Sequence, residues 1–555
     1  MRRAILAVLL VTGCGSGALS RSLPLSLSAG AVASPEATAT TVGASVLSSG
    51  GNAVDAAVAV AFALAVTFPN AGNLGGGGFM IVHMNGEDFA IDYRETAPAA
   101  ATRDMYLDEK GTPRGDESLR TCKAAGVPGT VAGLWRAHQK WGSKPWKSLL
   151  GAAMSLCSNA GGGMEIDEAT DRTLRALRAR PEFAAEWGKG DGSVSQMNLH
   201  KTLGRIAELG RDGFYKGETA RLIVEQMKRG NGLITADDLA NYEPKERRPV
   251  VGTYRGRKVV SMPPPSSGGA ILVQMLNMIE GFDIAKMGHN SAAYLHLVCE
   301  IEKRAFADRS VFFGDSDFFD VPLDGLTSKR YARERMASFD PAKRTDPATL
   351  KEGAPRGKRE KEETTHFSIV DAKGNAVANT YTLNDSYGSG IFVQGAGFLL
   401  NNEMDDFSIK PGVRNMYGVI GGEANAIAPG KRMLSSMSPT IVYDTDGRLW
   451  LVLGTPGGPT IFTQVFQVIV NRIDFGMTLA QAVAAPRFHH QWPPAAKDRD
   501  PIRIESLDAP VKAALQKLGY AFDTRRIGDF HAVEVDYAAN KAIGASDPRG
   551  TGTAE

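Results

Sequence analysis

Arg356-Gly357-Lys358-Arg359-Glu360-Lys361-Glu362-Glu363 runs directly into Thr364-Thr365-His366-Phe367-Ser368-Ile369-Val370. The first stretch carries charge of both signs and no apolar side chain, so it reads as a solvated tether. The second alternates polar and apolar residues, the period of a half-buried strand. A hydroxyl residue therefore stands at the start of a strand, immediately behind a tether. A chain that cuts itself there exposes a new N-terminal threonine. Its α-amine, titrating at roughly 7.7–8.0, is then a base beside its own hydroxyl. An ordinary loop-to-strand boundary has the same pattern, so the rest of the chain decides between the two.

Downstream, strand signals dominate. Residues 365–370 and 376–383 pair across Lys373-Gly374-Asn375, and 441–443 pair with 449–454 across Thr445-Asp446-Gly447. Helices are expected at 460–473 and 509–518, with two strands at the end. Upstream, 37–49 is helical and stops at Gly50-Gly51, and Asn52 caps a second helix over 53–67. The apolar run 53–66 contains Asp55 and falls short of the ~20 residues of a membrane span, so it reads as a buried core helix. Asn73-Leu74-Gly75-Gly76-Gly77-Gly78 leaves room for a ligand or another backbone. Strands at 79–84 and 88–93 follow across Asn85-Gly86. This order is not a strand followed by GxGxxG, which disfavours a dinucleotide site. The middle, about 125–350, is mostly helical, with a hairpin at 250–254 and 258–262. Pro263 to Gly269 (PPPSSGG) then either lines a pocket or serves as a stiff connector. Together these elements imply stacked layers of the α+β class.

The chain has 555 residues, more than one ordinary core holds, and a net charge of +2, which implies no basic nucleic-acid face. Arg2-Arg3 followed by apolar Ala4 to Val11 reads as an export signal. Val11-Thr12-Gly13-Cys14 resembles a bacterial lipoprotein cleavage box, with Cys14 as the lipidated residue; a plain secretory signal cut before Ser34 is the alternative. The expected parts are a signal peptide over 1–13 and a linker over 14–34. The mature protein is then periplasmic or membrane-anchored. Cys122, Cys157 and Cys299 have no CxxC spacing and read as buried thiols. The histidines lack metal-ligand spacing, His489-His490 included, and neither a metal nor an organic cofactor is expected.

Five clusters besides Thr364 suit chemistry. Thr380 to Asn384 (TYTLN) ends a strand. Glu403 and Asp406 stand three residues apart. Ser435-Ser436 cluster hydroxyls after Lys431-Arg432. Gly457-Gly458 offers bare amides just before a helix, suited to an oxyanion. Arg94, at a strand end, suits a bidentate carboxylate contact. Each alone has a structural reading as a turn, a loop or an ion pair.

Their joint order resembles the gamma-glutamyltranspeptidase family, of the N-terminal nucleophile hydrolase class. The resemblance runs from about 37 to 550 through NLGGGGFM (73–80), DYRETAP (92–98), GVPGTVAG (126–133), TTHFS (364–368), TYTLN (380–384), LLNNEMDDF (399–407), LSSMSPT (434–440), GTPGG (454–458) and APRFHHQW (485–492). It implies a four-layer αββα sandwich built jointly by both halves of the chain. It also implies self-cleavage between Glu363 and Thr364, giving a large subunit, 35–363, and a small one, 364–555, as a heterodimer. Thr364 would then attack a γ-glutamyl carbonyl, with Thr382 orienting it and Gly457 and Gly458 as oxyanion-hole amides. Arg94, Ser435 and Ser436 match the set that holds the substrate α-carboxylate. Asn384, Glu403 and Asp406 match the set that holds its α-ammonium; some relatives have Gln at the position of Glu403. Lys410 to Gly422 resembles a lid, with Tyr417 as the shielding residue. The implied substrates are glutathione and other γ-glutamyl compounds, with water, an amino acid or a peptide as acceptor. A cephalosporin or glutaryl acylase, or a non-processing binding lipoprotein, are the alternatives.

Overall fold

The computed structural model describes residues 27–157, 164–165, 174–175, 177–180, 182–187, 193–194, 196–355, 366–494 and 501–555. The signal segment, Cys14, the tether 356–363 and Thr364 lie outside the described residues.

Two antiparallel sheets stack face to face. The first has the strand order Thr553–Ala554, Ala31–Ser34, Phe367–Val370, Ala376–Thr382, Gly77–Met84, Glu87–Tyr93, Lys245–Arg247. The second has the order Lys541–Ser546, His531–Asp536, Leu449–Gly454, Thr440–Tyr443, Arg257–Ser261, Val250–Tyr254. Each sheet mixes strands from before and after the tether, so neither half of the chain owns a sheet of its own. The linker expected over 14–34 gives way at its end. Ala31–Ser34 is fully buried and pairs with both Phe367–Val370 and the C-terminal strand. Its four small residues fit a strand covered on both faces, a pattern easily taken for linker composition.

Alternation along the strands divides the core into layers. Phe367 and Ile369 face a helical layer that includes Ala53–Thr67, while Val370 packs between the sheets with Phe79, Ile441 and Val452. On the far side, Leu451 and Leu453 meet the helices Gly268–Ile279, Ala292–Phe312 and Ile461–Ile473. The result is helix, sheet, sheet, helix, as the resemblance implies. Ala53–Thr67 is buried along all but its last residue. Asn52 and Asp55 close its N-terminus as a reciprocal capping box, and Asp55 also accepts from the Ser143 and Lys144 amides, so its buried carboxylate is satisfied. Cys122, Cys157 and Cys299 are buried free thiols. Among the described residues no helix is long and apolar enough to cross a membrane.

The glycine loop serves close backbone approach. A Cβ on Gly75 would lie 2.1 Å from the Leu399 carbonyl oxygen, and one on Gly76 would lie 1.9 Å from that of Thr382. This loop presses the end of strand Ala376–Thr382 into place.

Candidate active site

Strand Ala376–Thr382 leads into a hook. The Thr382 hydroxyl accepts from the Asn384 amide at 2.7 Å, and the Thr382 carbonyl accepts from the Asn73 side chain at 2.9 Å. Asn384 adopts φ +76°, a left-handed conformation asparagine tolerates, and donates to the Asn402 carbonyl at 3.1 Å.

Beside the hook lies a buried charge cluster. The Arg94 guanidinium contacts Glu403 at 2.5 Å, Asp406 at 2.9 Å and Glu95 at 3.3 Å. Its position is set where strand Glu87–Tyr93 ends: the Arg94 amide donates to Asp92, and the Tyr242 hydroxyl donates to the Arg94 carbonyl. Glu403–Asp406 forms one 3-10 turn, which places its first and last carboxylates side by side. The two substrate-binding sets expected from the sequence are therefore not separate. Arg94, assigned to the α-carboxylate, is bound directly to the two acids assigned to the ammonium. Burial pushes the Glu95 carboxyl up to about 7, against the opposing pull of Arg94.

Ser435 and Ser436 are held by residues that the sequence reading did not single out. Arg309, on helix Ala292–Phe312, donates to the Ser436 hydroxyl at 3.2 Å and to Ser267 at 2.9 Å. Ser267 donates to the Ser435 carbonyl at 2.6 Å, and Ser266 to the Met437 carbonyl at 2.6 Å. The PPPSSGG segment is thus a buried brace behind the serines. A signal for Arg309 was present: Glu300, Glu302, Lys303, Arg304, Asp308 and Arg309 crowd one helix that is buried throughout this stretch.

The Gly457-Gly458 turn adopts φ +135° and +56°, positive values that favour glycine. A Cβ on Gly457 would strike Thr460 and Gln464, and one on Gly458 would meet the Tyr417 ring at 3.0 Å. Both carbonyls accept from the following turn, whereas neither amide bonds to another described residue. Two bare N–H groups therefore border the space above. Tyr417 closes that space: its hydroxyl donates to the Asn384 carbonyl at 2.7 Å, and Gln491 donates to its carbonyl at 3.3 Å. The segment that carries Tyr417 is tied down further by Asp405, which accepts from the Met416 amide at 3.0 Å. Burial raises the Asp405 carboxyl to about 6.

Thr382, Asn384, Asp406, Tyr417, Ser436, Gly457 and Gly458 all line one cavity of about 670 Å³. Arg94, Glu403 and Ser435 stand directly behind that wall. Thr364 lies outside the described residues, and the chain re-enters at His366. His366 is buried between the sheets, with Nε2 2.6 Å from the Ser368 hydroxyl and Nδ1 3.1 Å from that of Thr380. Ser368 also lies 3.1 Å from two carbonyl oxygens, so it donates to one of them and accepts from Nε2–H; Thr380 then donates to Nδ1. Burial, aided by nearby His531, lowers the His366 pKa well below the ordinary value and keeps the ring neutral.

The chain resembles known proteins over nearly its whole length. The family model described as Gamma-glutamyltranspeptidase matches residues 39–555. A glutathione hydrolase proenzyme of Pseudomonas aeruginosa is 47% identical over 97% of this chain and 96% of its own length. One of Escherichia coli is 46% identical over 99% and 97%. The crystal structure of a cephalosporin acylase from Bacillus halodurans superposes with a TM-score of 0.82 at 24% identity, covering 99% of both chains, and shares the fold. The chain belongs to the gamma-glutamyltranspeptidase family.

Proposed function

We propose that this protein is a self-processing γ-glutamyl hydrolase and transferase acting on glutathione and related γ-glutamyl compounds. The observation that carries the reading is the Arg94–Glu403–Asp406 cluster set behind a cavity bordered by two bare glycine amides. A γ-glutamyl head is a zwitterion. Its α-carboxylate would turn to Arg94 and the serine hydroxyls, and its α-ammonium to Asp406, Glu403 and Asn384. One charge of each sign then enters, and the net charge of the buried cluster does not change. A glutaryl or cephalosporin side chain without the ammonium would add an unbalanced negative charge, which burial makes costly. This argues against the acylase alternative.

Maturation would begin when the Thr364 hydroxyl attacks the Glu363 carbonyl. The peptide C–N bond breaks as an ester forms, and water hydrolyses the ester. This leaves the Glu363 carboxylate and a free Thr364 amine. In turnover the amine takes the hydroxyl proton as Thr364 attacks the γ-carbonyl, and passes it to the departing amine. The Gly457 and Gly458 amides receive the oxyanion, where one such donor contributes about 10²–10³ in rate. Water or an amino compound then releases the γ-glutamyl group. Turnover of γ-glutamyl-p-nitroanilide beside glutaryl-p-nitroanilide tests the reading. A strong preference for the γ-glutamyl compound is expected, and an equal or reversed preference would favour an acylase.

We further propose export through the segment 1–13 with lipid attachment at Cys14, resting on the VTGC box. Membrane fractionation of the wild type and Cys14→Ser tests it. A wild type as soluble as the variant would refute the anchor.

A further inference from the structure

The cavity extends beyond the residues expected to hold the γ-glutamyl head. Arg526, Gly528 and Asp529 line it together with Gly457 and Gly458. They belong to the segment between strands Ala521–Thr524 and His531–Asp536. This segment is locked to the oxyanion turn. Gly528 comes so close to Gln464 that a Cβ would lie 1.7 Å from its side-chain oxygen. Gln464 in turn donates to the Pro456 carbonyl at 3.1 Å and to Thr460 at 2.8 Å, on either side of the two glycines. The Asp529 amide donates to Thr455 at 3.4 Å. On the other side of Arg526, Ile527 is buried, and its amide donates to Glu505 at 2.9 Å. The backbone that carries Arg526 is therefore fixed relative to the glycine amides.

The charges along the cavity set Arg526 apart. Arg309 is engaged with Ser267 and Ser436, and Arg414 with the carbonyls of Gly418, Pro493 and Pro494. Arg526 is exposed and makes no hydrogen bond or ion pair with any described residue. A guanidinium on a fixed loop, facing a cavity and without a protein acceptor, is suited to an anionic ligand group, a carboxylate above all.

We propose that Arg526 recognises the terminal carboxylate of the amine half of the reaction: the leaving dipeptide when glutathione is the donor, and the acceptor peptide in transfer. This rests on the γ-glutamyl reading above. In both half-reactions the reacting amine must sit at the acyl carbon beside the oxyanion amides. A dipeptide then extends away from it by roughly 3.3–3.6 Å per residue, with its carboxylate at the far end. The Arg526 segment borders the same cavity as those amides. The assignment makes Arg526 a specificity residue that distinguishes peptides with a free C-terminus from neutral amines.

The test compares kcat/KM for glutathione and for glutathione with its glycine carboxylate converted to the amide, within each protein. The wild type is expected to prefer the free acid by about tenfold, the scale of a charge-assisted hydrogen bond. In Arg526→Gln the preference should collapse towards one, and in Arg526→Glu it should invert. Because the readout is a ratio within one protein, a general loss of active enzyme does not move it. A wild type with no preference, or an Arg526→Gln variant that keeps the wild-type ratio, overturns the inference while leaving the γ-glutamyl reading intact. A wild type that turns over neither compound overturns that reading, and the inference with it.

Discussion

Replacing Gly76 by alanine tests whether the glycine loop positions the active-site strand. The added methyl would lie 1.9 Å from the Thr382 carbonyl oxygen and 2.8 Å from Asn73 Oδ1. Ordinary contact begins at 3.4 Å, so the two backbones must part by at least about 1.5 Å. The obstacle is a strand carbonyl paired with Asn73, not the free end of a side chain, so no rotamer relieves it. Two effects follow. Overpacking of this kind costs about 1–3 kcal/mol of stability. Thr382 and the Asn384 hook shift by an amount that, in an enzyme site, lowers turnover about 10²-fold. The assay is kcat with γ-glutamyl-p-nitroanilide, beside the urea unfolding midpoint. Gly151→Ala is the control, because that helical position is exposed with nothing within 4 Å of the new methyl; it should leave kcat near wild type and the midpoint unchanged or slightly raised, since alanine favours a helix interior by about 0.5–1 kcal/mol over glycine. A Gly76→Ala protein with wild-type kcat would show that the glycine loop does not hold Thr382 in place.

Three further outcomes are expected. Arg94→Gln strands Glu403 and Asp406 as buried carboxylates and should cost about 3–5 kcal/mol in urea unfolding, partly recovered by adding Glu403→Gln; a loss under about 1 kcal/mol would contradict the buried pairing. Gly458→Ala puts a methyl 3.0 Å from the Tyr417 ring at a positive φ, so kcat/KM should fall at least about tenfold while stability drops by only about 1–2 kcal/mol. Asp405 has its pKa raised to about 6 by burial. Between the unfolded value near 3.9 and about 6 the folded chain therefore holds a proton that the unfolded chain has lost. Stability from this group falls as pH rises through that window, and Asp405→Asn should flatten the fall, read as unfolding midpoint from pH 4 to 7.

The sequence carried local information well where one physical cause acted alone. The Asn52 cap and the Asn85-Gly86 turn produced the expected elements, because capping and positive φ are local properties; the alternation after His366 gave the expected strand, but Phe367–Val370 is buried on both faces rather than half-buried, since its polar Ser368 is satisfied by His366 and by carbonyls of the facing sheet. Ala31–Ser34 was misread because burial on both faces by distant strands leaves no periodic signal. At the site, the residue types were legible but their partnerships were not. Arg94 and Glu403 lie more than 300 positions apart, and only folding shows that the cation meets the acids. Arg309 was missed for the same reason: its role depends on Ser267 and Ser436, which reach it from other segments.

Intact-mass spectrometry of the purified protein beside Thr364→Ala reads self-cleavage at the Glu363–Thr364 bond. Two wild-type fragments divided between Glu363 and Thr364 are expected, with a variant that stays whole. A wild-type chain that remains uncut, or is cut elsewhere, would contradict self-cleavage at that bond.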